Sequence, residues 1–352
     1  MKIFSKDHEN LNSYLSSASK WIEEETLRYI PDGEPKEYLY DLMRDYPQRG
    51  GKRFRPALVL LSCELFGGDP QKALTSAIAF ELFHNFALVH DDIEDESLLR
   101  RGEATLHRKH GTALAINAGD ALMCIVHEIL LDNYSILDSN LALHIHKYLN
   151  NVMQSTFEGQ ALDIGWVVNQ KFPDRNEYRK MIIRKTGWYS GRGPCQCGAM
   201  IAGASESDLE NIGSFGEAIG IGFQVRDDLL NLIEESETED PLAGSGGYGK
   251  ERGGDIAEGK RTLITIELLE RLVEKDSTRA RSILLQSREK VSKSDIDWCI
   301  DQAEITGALD AASKYCHEQV ESASSELRKL PDNSCRTKLA EIVNYLTLDR
   351  KA

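Results

Sequence analysis

Apolar positions recur at the three- and four-residue spacing of helices over most of the chain. The run Ala57–Phe66 (ALVLLSCELF) is apolar and stops at Gly67-Gly68, a C-terminal glycine signal. Asp69-Pro70 opens the next helix, because Asp caps and Pro is tolerated in the first turn. That helix is predicted to run to Asp95, through TSAIAFELFHNFALVHDD. Further helices are predicted over Thr112–Ile136, Asn140–Asp163, Asp174–Lys185, Ser207–Glu234, Thr262–Glu274, Ser294–Thr306, Ala308–Leu330 and Thr337–Leu346. No strand alternation and no internal repeat is visible. Pro31–Pro35 reads as a loop, and Pro241–Gly254 (PLAGSGGYGKERGG) as a glycine-rich lid. No linker rich in Pro, Gly or Ser divides the chain. Residues 1–352 are therefore expected to form one all-α domain, a helical bundle around a deep central cavity.

Composition narrows the function classes. The chain is 41% hydrophobic and 28% charged, as a globular protein with a substantial core should be. A net charge of −15 argues against nucleic acid as a partner, which calls for a basic face. It leaves anionic small molecules open, provided carboxylates first collect metal ions. No stretch approaches the roughly 20 uninterrupted apolar residues of an integral membrane span, and MKIFSKDHENLNSYL lacks the apolar core of a secretory signal. A cytoplasmic protein is expected. The seven cysteines follow no disulfide spacing and read as buried, reduced thiols.

The chemistry is concentrated in acidic stripes. In His90-Asp91-Asp92-Ile93-Glu94-Asp95, the carboxylates of Asp91 and Asp95 share one helical face, about one turn apart, with Asp92 beside them. Like charges this close need cations, although a solvated acidic helix end is the alternative. A second stripe, Gln224, Asp227, Asp228 and Asn231, lies on an otherwise apolar helix. Two such stripes suggest walls of one pocket holding magnesium between them, a clamp suited to phosphate-bearing substrates. Cationic groups accompany them: Lys52, Arg53 and Arg55 in GGKRFRP, Arg100-Arg101 after the first stripe, Lys185-Thr186, and Lys250 and Lys260 beside the lid. Gly244–Gly249 fits the pattern GxGxxG, but no strand precedes it, so a dinucleotide site is not supported.

In order along the chain, GGKRFRP, HNFALVHDDIEDESLLRRG, GQALDIGW, KTG, FQVRDDLLN and YGKERGGDIAEGKRT resemble the trans-isoprenyl diphosphate synthases, the farnesyl and geranylgeranyl diphosphate synthase family. The resemblance spans residues 50–262, with a helical tail over 263–352. It implies a magnesium-dependent prenyltransferase that condenses an allylic diphosphate with isopentenyl diphosphate, using three magnesium ions in each active site, and a homodimer. Asp91, Asp95 and Asp227 then match metal ligands, with Asp92 and Asp228 beside them. Arg100, Lys185, Lys250 and Lys260 match contacts to the allylic diphosphate, and Thr186 and Gln224 face the developing cation. Lys52, Arg55, His84 and Arg101 match the isopentenyl diphosphate pocket, with Arg53 nearby; Gln160 and Asp163 match further pocket positions.

Two departures stand out. Asn231 replaces a third Asp found in many members, as in some geranylgeranyl diphosphate synthases, and Trp188–Pro194 is bulkier and more polar than the usual aliphatic continuation. Phe86 and Ala87, five and four positions before Asp91, match the residues that set product length. An aromatic group at the first of these implies geranylgeranyl diphosphate, with farnesyl diphosphate or a longer chain as alternatives. A cyclising terpene synthase is disfavoured by the second diphosphate pocket. A non-catalytic partner subunit is disfavoured by the retention of both stripes.

Overall fold

The computed structural model describes residues 10–232 and 252–349, so Lys250 and most of the glycine-rich lid lie outside the described residues. The described chain is almost wholly helical. In order it forms α1 (Leu11–Tyr29), α2 (Asp41–Gln48), α3 (Phe54–Leu65), α4 (Pro70–Glu94), α5 (Leu106–His110), α6 (Thr112–Ile136), α7 (Ser139–Val168), α8 (Arg175–Ile182) and α9 (Gly193–Ile201). Then follow α10 (Glu206–Leu232), α11 (Gly254–Ala257), α12 (Leu263–Arg271), α13 (Glu274–Leu284), α14 (Lys293–Ile305), α15 (Ala308–Leu327) and α16 (Ser334–Asn344).

The long helices follow the hydrophobic pattern. In α4 the Asp69 side chain accepts from the Gln71 amide at 3.1 Å and Pro70 occupies the first turn. The helix α6 spans the expected residues. Among the described helices it alone is long and apolar enough to cross a membrane, yet it carries Asp120, Glu128 and Asp132. Ala115, Ala118, Leu122, Val126 and Ile129 on its inner side are buried, and it packs on α4.

Local signals account for what the sequence pattern missed. The helix α1 begins at a capping box, with Asn10 accepting from the Ser13 amide at 2.9 Å. Leu99–Arg100 and Glu103–Ala104 pair as a short antiparallel turn, too brief to show alternation. The helix expected over Asp174–Lys185 turns α-helical only to Ile182, and Ile183–Arg192 continues as a π-helical stretch. Glycines of the stretch and of its neighbours let it wedge between α7 and α10. A Cβ on Gly191 would lie 1.8 Å from the Gly216 carbonyl oxygen, and one on Gly159 would lie 2.2 Å from the Lys185 nitrogen.

Two apolar clusters form the core. One joins α1–α4, α6, α7, α9 and α16; the other joins α8, α12–α15 and the C-terminal half of α10. The helix α10 belongs to both, through Phe215 and Ile219 in the first and Val225 and Leu229 in the second. It thereby holds the second acidic stripe between the clusters.

Candidate active site

A cavity of about 1020 Å³ opens between α3, α4, α7, the π-helical stretch and α10. Asp91 and Asp227 both line it, so stripes separated by over a hundred residues face one space. Lys52, Arg55, His84, Arg100, Arg101, Lys185, Thr186, Gln224 and Lys260 line it as well.

At the first stripe the carboxylates have divided tasks. Asp91 accepts from Gln160 Nε2 at 3.1 Å and lies 3.8 Å from Lys185 Nζ. Asp95 accepts from Lys260 Nζ at 2.6 Å. Burial pushes the Asp95 carboxyl up to about 6, against the pull of Lys260. Asp92, expected beside the metal ligands, is instead fully buried. It accepts from the Tyr46 hydroxyl at 2.5 Å and is gripped by the Arg100 guanidinium. Burial opposes the Arg100 charge, but Asp92 outweighs it and keeps the group firmly protonated. Asp92 thus anchors the turn that carries Arg100, a buried pair whose rupture costs about 3–5 kcal/mol.

The cations across from this stripe are held by carboxylates too. Lys185 Nζ donates to Asp163 at 2.5 Å. Burial works against its charge, but Asp163, Asp91 and Asp95 outweigh that and raise its pKa. From the π-helical stretch, Thr186 donates to Gln224 Oε1 of α10 at 3.2 Å, and Gln224 Nε2 donates to Asp228 at 2.9 Å. This chain orients the Gln224 amide and leaves lone pairs of the Thr186 hydroxyl for the cavity. Asp228 is 5% exposed; burial, then Asp255, pushes its carboxyl up to about 8. The departure at Asn231 has a local reason: its Oδ1 accepts from the Asp255 amide at 3.0 Å, docking α11 against α10.

That docking exposes residues the sequence pattern missed. Lys260 Nζ lies 2.6 Å from Asp95, 2.9 Å from Glu258 and 3.6 Å from Asp255. Asp255 and Glu258 belong to no acidic stripe; only their nearness to Lys260 in GGDIAEGKRT could have flagged them. Arg261, buried, holds this loop through carbonyls of Gly259, Lys171 and Leu284.

A second cationic group lies on the other side of Arg100. Arg101 donates to the carbonyls of Tyr46 and Gly50, and burial together with Arg53 lowers its pKa to about 10. Burial, then Arg55 and Arg101, hold His84 neutral, and its Nδ1 is buried without a hydrogen-bond partner among the described residues. The Lys52 ammonium lies 4.2 Å over the Tyr345 ring. Arg53, expected near the substrate, is charge-paired with buried Glu81 and donates to the Pro47 carbonyl. Its charge is neutralised within the fold.

Deeper along α4 the lining turns aromatic. Phe86 stacks near Phe83 with centroids 5.8 Å apart, lies 4.7 Å from the His90 ring, and meets Phe157 of α7 edge-on at 5.8 Å. Phe86 is 7% exposed and Phe157 44%. Phe157, Gln160 and Asp163 fall three apart on one face of α7, a signal the sequence contained but did not single out.

The donor set suits a hard divalent cation. Among the described residues no His, Cys, Asp and Glu cluster stands ready-made as a metal site. Carboxylate oxygens of Asp95, Asp255 and Glu258 nevertheless converge on a single ammonium, and Asp91 and Asp227 face the same cavity. All are oxygen donors, which magnesium prefers.

Comparison with known proteins agrees with this geometry. A family model described as polyprenyl synthetase matches residues 36–302. The geranylgeranyl pyrophosphate synthase of Geoglobus acetivorans is 34% identical over 339 residues, covering 96% of this chain and 98% of that one. The short chain isoprenyl diphosphate synthase of Methanothermobacter thermautotrophicus is 35% identical over 332 residues, covering 94% and 96%. The crystal structure of geranylgeranyl pyrophosphate synthetase from Pyrococcus horikoshii superimposes with a TM-score of 0.84 at 33% identity, covering 96% and 98%.

Proposed function

The chain belongs to the polyprenyl synthetase family, and on that premise we propose that it condenses isopentenyl diphosphate with an allylic diphosphate, yielding geranylgeranyl diphosphate. The observation that carries the reading is the pairing of two acidic walls with a separate cationic pocket on one cavity. One diphosphate fits between the walls and the other against Arg55, Arg101 and His84. A single-substrate enzyme has no use for the second pocket.

Magnesium, three ions in each site, would be held by Asp91, Asp95 and Asp227, and when bound would neutralise the allylic diphosphate as it leaves. Lys185, Arg100 and Lys260 orient that diphosphate and stabilise its growing charge; Lys250, outside the described residues, is assigned the same task. As the allylic carbon–oxygen bond breaks, the Thr186 hydroxyl, oriented by Gln224, turns its lone pairs toward the forming cation. His84, held neutral, can donate one hydrogen bond to the isopentenyl diphosphate without adding charge. The departing diphosphate takes the proton released on carbon–carbon bond formation, so no protein base is required.

Phe86 and Phe157 close the far end of the cavity and set the product at geranylgeranyl length. We read residues 1–352 as one catalytic unit, located in the cytoplasm. We also infer a homodimer joined through α6 and α7, whose outer faces expose Ile116, Leu131, Tyr134 and Leu143. Light scattering that gives a monomer mass at micromolar concentration would reject the dimer.

The test of function is a product assay with magnesium, isopentenyl diphosphate and dimethylallyl, geranyl or farnesyl diphosphate, read by mass. Geranylgeranyl diphosphate is expected. A different chain length rejects the product assignment, and no condensation with any primer rejects the activity.

A further inference from the structure

The bulky run Trp188–Pro194 finds its use at Arg55. Arg55 Nη2 donates to the Tyr189 hydroxyl at 3.1 Å and to Ser190 Oγ at 2.8 Å, and Nε donates to Ser190 Oγ at 3.2 Å. The guanidinium also lies 4.6 Å over the Tyr189 ring. Those partners are neutral, whereas Arg53 is neutralised by Glu81. A carboxylate would hold Arg55 as firmly but would offset its charge; hydroxyls and a ring face orient it and leave the charge in place. The contacts occupy Nε and Nη2, so Nη1 remains for an incoming anion. The holder is itself rigid: the Tyr189 ring packs edge-on against Phe83 at 5.8 Å, and Gly191 abuts the Gly216 carbonyl just beyond Ser190.

We propose that Tyr189 and Ser190 are positioning residues that aim Arg55 at the isopentenyl diphosphate and thereby set the affinity for that substrate alone. The proposal rests on the prenyltransferase reading above. Tyr189 and Ser190 line the cavity together with Lys52, His84 and Arg101, and the Tyr189 ring lies 6.1 Å from that of His84. Losing them should therefore not affect the allylic diphosphate.

The experiment is steady-state kinetics of the full chain with magnesium, varying each substrate in turn. Tyr189→Phe keeps the ring and loses one hydrogen bond; Ser190→Ala loses the others. The double variant is expected to raise the KM for isopentenyl diphosphate about tenfold, the scale of hydrogen bonds to a charged group. The allylic KM and kcat should stay within about twofold of the unaltered enzyme. Ser190→Thr, which keeps the hydroxyl, should restore the KM. In an Arg55→Ala background the double variant should add nothing, because the effect passes through Arg55. An unmoved isopentenyl diphosphate KM, an equal rise in both KM values, or an additive effect in that background overturns the positioning role. Absence of turnover in the unaltered enzyme overturns the premise instead, so the two failures are distinguishable.

Discussion

At the mouth of the cavity Asp91, Asp95, Lys185 and Lys260 hold one another in a net of opposite charges, each side chain partnered within the site. About 8 Å deeper along α4, Phe86 sits in a nest of rings from Phe83, His90 and Phe157. The mouth works only if the number and sign of its charges are right, because misplaced charge in a half-buried site has no solvent to relieve it. The proposed floor would work by volume, because van der Waals packing depends on shape rather than chemical identity. One helix, α4, carries both Asp91 and Phe86.

The hardest blow to that division of labour is struck at the mouth. Asp91→Ala or Asp227→Ala should lower kcat by about a hundredfold to a thousandfold, the scale of losing one transition-state contact, with product length unchanged. Chelation with EDTA should abolish turnover, and magnesium should restore it. A floor substitution that cut the rate as deeply would show that the two ends are not separable.

Next in size is the floor. Phe86→Ala and Phe157→Ala each remove a ring and should shift products at least one isoprene unit beyond geranylgeranyl diphosphate, with turnover within about tenfold of the unaltered enzyme. Mass analysis of products from farnesyl diphosphate reads the shift. If Phe86→Ala lengthens the product and Phe157→Ala does not, the stop belongs to α4 alone.

The two ends also differed in how legibly the sequence announced them. Helical periodicity located α4, α6 and α10, and the order of motifs brought both acidic stripes to one cavity, because these signals are local and repeated. Asp255 and Glu258 escaped, since their role depends on Asn231 docking α11 by a bond between side chain and backbone that no pattern encodes. The task of Asp92 escaped for a related reason: from its place in the stripe it looks like a ligand, and only Tyr46, brought in by α2, shows it as an anchor. Phe157 was readable at its three-residue offset from Gln160, but nothing in α7 alone says that it faces Phe86. The π-helical stretch was hidden because it depends on close approaches between its backbone, Gly191 included, and glycines of α7 and α10 that lie far off in the chain.

The smallest expected effect concerns stability, and it separates the two ends by their response to pH. Asp228 is buried, and its carboxyl is pushed up to about 8, from an ordinary value near 3.9. In metal-free protein the native state therefore binds this proton more tightly than the unfolded chain does. The stability it contributes is fully present below about pH 4 and is lost as pH rises through about 8. Asp228→Asn imitates the neutral form at every pH. In EDTA the variant and the unaltered protein should melt together near pH 4, and the variant should melt a few degrees higher near pH 8. A melting difference that stays constant across that range would show that Asp228 is not held neutral. Phe157→Ala supplies the contrast, because the rings it packs against, Phe83 and Phe86, carry no titratable group. Its melting deficit should be the same at both pH values, whereas that of the charged mouth should not.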